Sequence, residues 1–150
     1  MRSILIAVIT ATFVMFAATI ARAGDVADVR AAEIAFNAAQ NAGNIDAMFG
    51  LSLPDRTVFG PGGGRLVAGW TEESKKRRQV EFDAGRKINY RIEDLEVRIF
   101  GDVAVTTFYR IGTVKEVKEA PKPSQMRISG VWVRQADGWK LAHRHESNLQ

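Results

Sequence analysis

The chain of 150 residues has no cysteine, only two histidines and only four prolines. Without cysteine there is no disulfide framework, no thiolate nucleophile and no sulfur ligand for a metal. Charge of one sign is also scarce. The 21 Lys and Arg stand against 17 Asp and Glu, a formal +4. Much of that excess sits at the start of the chain: without Arg2 and Arg22 the balance is 19 against 17. So small an excess, with no aromatic-studded basic stripe, gives no support to a nucleic-acid partner. Internal repeats and low-complexity tracts are missing too, and one domain accounts for the length.

The single long apolar run lies at the amino terminus. Arg2 opens it, Ile4 to Ile20 carries it, and Ala21-Arg22-Ala23 supplies the small-x-small pattern of a cleavage site. Residues 1–23 therefore read as a secretory signal peptide cut between Ala23 and Gly24. The expected destination is the periplasm of a bacterium, or secretion. The alternative is an uncleaved anchor, against which Thr10, Thr12 and Thr19 break up a run already short for a span. Membrane contact is expected only through that uncleaved segment.

Residues 24–150 then divide by periodicity. Asp25 and Asp28 suit a helix start, Val29, Ala32, Ala35, Phe36 and Ala39 recur at helical spacing, and Gly43 stops the helix. Asn44 caps a short second helix that Pro54 is expected to end. Arg56 to Phe59 and Leu66 to Ala68 read as paired strands around the flexible turn at Gly60 to Gly64. That glycine run lacks the following Lys-Thr and helix of a phosphate loop. Thr71 caps a third helix with Glu72 and Glu73 in its first turn and Lys75 to Arg78 in its middle. Alternation then runs from Ile88 to Ile99 with a bulge or bend at Glu93-Asp94, and from Val103 to Val114 after a turn at Gly101-Asp102. Ala104, Thr106, Phe108 and Arg110 share one face of that last strand. Met126 to Arg134 leads through the Asp137-Gly138 turn into a final strand. Strict alternation there puts Trp139, Leu141, His143 and His145 on one face and Lys140, Ala142, Arg144 and Glu146 on the other. Helices first and antiparallel strands after give an α+β class.

This order resembles the nuclear transport factor 2-like superfamily, and within it the SnoaL-like proteins. The local likeness is to the association domain of calcium/calmodulin-dependent kinase II, through Gly101-Asp102-Val103-Ala104, Tyr109-Arg110, Val131-Trp132 and Trp139 to His145. The resemblance implies a cystatin-like cone: three N-terminal helices on a strongly bent antiparallel sheet around an internal pocket. It does not imply ketosteroid isomerase chemistry. The isomerase base would fall at Gly60, its oxyanion tyrosine at Phe36 and its protonated aspartic acid near Gly130. The arginines of the association-domain pocket carry over in part. Arg110 matches one, a second would fall at Gly130 with Arg127 nearby, and a third lands at Gln79 beside Arg78.

The expected ligand site therefore centres on Arg110, with Tyr109, Trp132, Arg78 and Glu146 around it and Glu146 or Asp94 as ion-pair partner. A buried guanidinium needs an acid from the chain or an anionic ligand. His143 and His145 are the candidates for acid/base catalysis, because imidazole titrates near neutral pH. As an i,i+2 pair they could also chelate, but no third ligand at a fixed spacing accompanies them, and neither metal nor cofactor is expected. Three functions stay open: binding of a small organic ligand, anionic where Arg110 meets it; cofactor-free isomerase, cyclase or dehydratase chemistry; and assembly into a homodimer or larger homo-oligomer.

Overall fold

The computed structural model describes residues 24–149. The expected signal peptide, residues 1–23, lies outside them. No helix among the described residues is long and apolar enough to cross a membrane.

Helix α1 spans residues 24–42. It is followed by α2 (Ile45–Gly50), β1 (Ser52–Phe59), β2 (Val67–Ala68), α3 (Glu72–Asp83) and four long strands. These are β3 (Lys87–Phe100), β4 (Val103–Lys115), β5 (Lys122–Gln135) and β6 (Gly138–Asn148). The helix caps follow from single side chains. Asn44 accepts from the Ala47 amide and Thr71 from the Ser74 amide, each satisfying a donor that a helix start leaves free. Gly43 turns the chain at φ +66°, where a Cβ would meet the Phe82 ring at 2.7 Å. The expected stop at Pro54 is different in the structure: α2 ends at Gly50 and Pro54 lies inside β1. It sits where the pairing of β1 with β6 is irregular, so its missing N–H costs no ladder bond.

The sheet order is β2-β1-β6-β5-β4-β3. All neighbours are antiparallel except β1 and β6, which run parallel. The expected all-antiparallel order thus becomes a mixed sheet, because β1 joins the edge of β6 rather than forming a further hairpin. The bend expected at Glu93-Asp94 is a bulge, with Asp94 at φ +53° and the register shifting between Glu93 and Glu96.

A second bulge inverts the end of β6. Val131 pairs with His143 but Trp132 pairs with Leu141, leaving Ala142 extra. An unpaired residue shifts the period-2 pattern by one, so side chains beyond it change face. The expectation that Trp139, Leu141, His143 and His145 share a face is corrected accordingly. Trp139 and Leu141 are buried in the core with Val29, Phe36, Ile45 and Met48, and beyond the bulge Arg144 is the buried residue. The helix-facing sheet surface also holds Ala104, Thr106, Phe108 and Arg110, all buried as their alternation implies.

On α1 the inward stripe is Val29, Glu33, Phe36 and Ala39, while Ala35 faces outward. The helix is tied to edge strand β3 by Asn41, which accepts from the Tyr90 amide at 2.9 Å and donates to the Tyr90 carbonyl at 2.8 Å. Asn37 donates to the same carbonyl at 2.9 Å. These bonds occupy backbone groups that an edge strand otherwise leaves unpaired.

Candidate functional site

A cavity of about 300 Å³ opens between the sheet, the turn after β1 and α3. Arg56, Arg78 and Arg86 enter it with Trp70, Tyr90 and Glu146. Gly60 also lines it and brings no side chain, so the position of the isomerase base is empty of any titratable group. Helix α3 buries none of its residues fully and lies across the opening, placing Arg77 and Arg78 on the rim.

Behind the wall, β4 and β6 supply two fully buried guanidinium groups. Arg110 donates from Nη1 to Glu146 Oε1 at 3.2 Å, the acid partner expected for it. Its guanidinium carbon stands 5.4 Å from the centre of the Tyr90 ring. Arg144 donates from Nη2 to Glu33 Oε2 at 2.5 Å. The other oxygen of Glu33 accepts from Thr106 Oγ1 at 2.8 Å and from Trp132 Nε1 at 2.9 Å. Gly130 makes room for this carboxylate: a Cβ there would meet Thr106 Oγ1 at 2.6 Å and Glu33 Oε1 at 2.9 Å. Gly130 and Arg144 are register partners across β5 and β6. A guanidinium from β6 thus lies beside the β5 position with which the resemblance aligns a second arginine.

Arg56 arrives from β1, 5% exposed, and donates from Nη1 to Ser52 Oγ at 3.2 Å. It meets Trp70 at 4.1 Å and Phe36 at 5.4 Å from guanidinium carbon to ring centre. Arg144 is 4.5 Å from Phe36, and Arg78 is 5.5 Å from Trp70. Arginines and aromatic rings thus alternate from Arg78 through Trp70, Arg56 and Phe36 to Arg144. Such contacts soften the burial of a cation without neutralising it. Burial, with Arg144 and Arg78 close by, pushes the Arg56 pKa down from its ordinary value to about 8. Burial also lowers Arg110, against the opposing pull of Glu146, and lowers Arg78, with Arg86 adding to the effect.

The remaining candidates fall elsewhere. Tyr109 is 40% exposed on the outer face of β4, so its expected place in the pocket is corrected by the same alternation that buries Arg110. Trp132 is fully buried and spends its N–H on Glu33, so it supports the site from behind. His143 and His145 lie on the outer face: His143 Nδ1 and Thr57 Oγ1 hydrogen-bond at 2.7 Å, and both imidazoles pack against Phe59. The bulge at Ala142 separates them from the inward face of Trp139 and Leu141 and turns them away from the cavity. Arg127 pairs with Ser147 on that outer side and is exposed, and Asp94 is spent in the bulge.

Arg56, Glu33 and Arg144 are the buried charged residues of this region that sequence reasoning missed. Glu33 left a signal, a carboxylate at helical spacing between Val29 and Phe36. Arg144 left none that survives an unseen bulge.

The SnoaL-like domain family matches residues 29–149. Among solved structures, the calcium/calmodulin-dependent kinase II hub homology domain of Chlamydomonas reinhardtii is 28% identical. It aligns over 83% of this chain and 98% of its own, with a TM-score of 0.67. The corresponding kinase hub of S. rosetta is 26% identical over 83% of this chain and 96% of its own, TM-score 0.68. A ketosteroid isomerase-like protein from Erwinia carotovora atroseptica is 22% identical over 84% of this chain and 97% of its own, TM-score 0.69, a likeness of fold alone. A comparison with curated proteins found no match.

Proposed function

The chain belongs to the SnoaL-like domain family, and within that nuclear transport factor 2-like fold we propose that it binds a small organic anion in the arginine-lined cavity. The observation that carries this reading is the excess of guanidinium charge at the cavity. Arg56, Arg77, Arg78, Arg86, Arg110 and Arg144 stand around the cavity or in its wall, against Glu33, Glu81, Glu116 and Glu146. Taking a cation out of water costs several kcal/mol, on the order of the whole contribution of a good core residue, unless an anion meets it. Nothing in folding alone requires the surplus, and a carboxylate ligand offsets it. The cavity volume is at the lower end of ligand sites, which suits a small molecule. Secretion through residues 1–23 would make this a periplasmic binding activity.

Thermal unfolding tests the reading with small carboxylates set beside the amides of the same acids. A ligand selective for the native state raises Tm with concentration. Carboxylates should raise it, amides should not, and the rise should vanish in Arg110→Met. Equal response to acid and amide would sink the proposal.

A second reading, self-association, is favoured by the two kinase hubs and by the outer sheet face. There Val103, Tyr109 and Phe59 are exposed beside the two histidines. Light scattering tests it, and a strict monomer across the micromolar range would end it.

A further inference from the structure

Resting on the anion-binding reading, we infer that the ligand is a dianion, and that Arg56 and Arg78 together set that preference by clasping it beside Trp70. Arg86 is paired with Glu81 at 2.7 Å and Glu116 at 3.2 Å, Arg110 with Glu146, and Arg144 with Glu33. Among the described residues Arg56 and Arg78 form no ion pair. Both enter the cavity, and both guanidinium carbons approach one indole ring, at 4.1 and 5.5 Å. Arg77, the third arginine at the cavity without an ion pair, is exposed on the rim where water solvates it, so Arg56 and Arg78 together leave a local surplus of two charges. A monoanion leaves one of them uncompensated; a dianion leaves neither.

The unfilled hydrogen-bond donors agree. Of the cavity-lining residues, Arg56 Nε and Arg86 Nε are buried donors that find no acceptor among the described residues, beside one buried acceptor without a donor, Gln40 Oε1. Arg110 Nε and Nη2 and Arg144 Nε and Nη1 are likewise unfilled in the wall behind. Buried polar atoms are ordinarily paired, and charged donors bond to oxyanions more strongly than to neutral groups. Arg56 faces the cavity directly and is held from behind by Ser52 and Phe36, so its planar fork is oriented before any ligand enters. Such preorganisation limits what binding costs in side-chain freedom. The aromatic walls, Trp70 and Tyr90, suit an organic skeleton between the charged ends.

A charge series on one skeleton tests this by calorimetry at low salt: succinamide, succinamate and succinate are neutral, singly and doubly negative at nearly constant shape. Succinate should bind at least about tenfold tighter than succinamate, since removing a partner from a desolvated charge pair costs more than that. In Arg56→Met the two should converge, with succinamate itself little changed. Arg78→Gln, at a half-buried position on α3, should narrow the gap in the same direction if Arg56→Met does not fold. Methyl phosphate, a dianion on a single centre, separates the sources. Binding as tight as that of succinate assigns the site to phosphomonoesters as well as dicarboxylates, and either result keeps the dianion. Equal affinity for succinate and succinamate overturns the inference while leaving the anion reading standing. Binding of neither, or of succinamide as well as either acid, overturns both.

Discussion

At the residue scale, the fold holds a charge cluster that a plain apolar core would not need, and its members differ in what they do. Glu33 is structural. It receives Arg144, Thr106 and Trp132 at once, from β6, β4 and β5. Glu33→Gln should destabilise the protein by about 3–5 kcal/mol, the usual consequence of leaving one member of a buried pair alone. Urea unfolding reads this out, and a loss under 1 kcal/mol would show that the pair contributes little. Arg56 has the opposite profile. Its pKa in the folded chain, about 8, lies far below the ordinary value of an arginine, chiefly because it is buried. Between those values the unfolded chain binds more protons than the folded one, so this group makes stability rise with pH through that window. Its cost is fully present below pH 8. Arg56→Met should therefore raise the stability of the ligand-free protein at pH 7, and the gap to wild type should narrow by pH 9.5. If Arg56→Met instead lowers stability equally at both pH values, Arg56 is a structural cation and not a ligand-binding one. The charge neighbours that govern this titration are Arg144, Arg78, Glu146 and Arg110.

At the scale of the element, two bulges and one helix decide the site. Most elements were legible in the sequence, because each rests on local chemistry: the Asn44 and Thr71 caps, the Gly43 and Gly101 turns, the Glu93-Asp94 bulge, the inward run Ala104 to Arg110. What was not legible is parity past a bulge without a glycine or turn signal. Ala142 carries no such mark, and that one extra residue exchanges Arg144 for His143 as the inward side chain. Nor does alternation report the parallel joining of β1 to β6, which brings Arg56 to the cavity. Gly112 is a second hidden constraint. It pairs with Tyr90, and a Cβ there would stand 1.9 Å from the Asn89 carbonyl oxygen. Helix α3 is a lightly buried element of the site. It buries no residue fully and is held by Phe82, by Lys75 to Asp46 at 2.5 Å and by Glu81 to Arg86. Elements with few buried contacts open at low free energy. Amide exchange in residues 72–83 should be fast in the free protein and slow several-fold with a bound carboxylate, while β4 and β5 stay unchanged. Slowing spread evenly over the sheet would contradict a closing role for α3.

For the whole molecule, the fold separates two surfaces. The inner surface gathers arginines and aromatic rings. The outer surface presents Val103 and Tyr109 on β4, both histidines on β6, and Phe59 on β1 as the register partner of His145. If that outer face joins subunits, Tyr109→Lys should lower the mass measured by light scattering and leave carboxylate binding intact. Loss of both would mean that the pocket depends on assembly. The family resemblance was readable over the whole domain because turns and strand lengths carry it. The ligand was not, because the same fold hosts many functions and the deciding charges come from strands far apart in sequence.

The most direct test is side-chain NMR of the arginine Nε–Hε groups during titration with a small carboxylate. Arg56 and Arg110, buried and short of acceptors at Nε, should shift together and saturably, while exposed Arg91 and Arg127 stay still. Movement confined to His143 and His145, with Arg56 and Arg110 unmoved at saturating ligand, would place the ligand on the outer face and contradict the account.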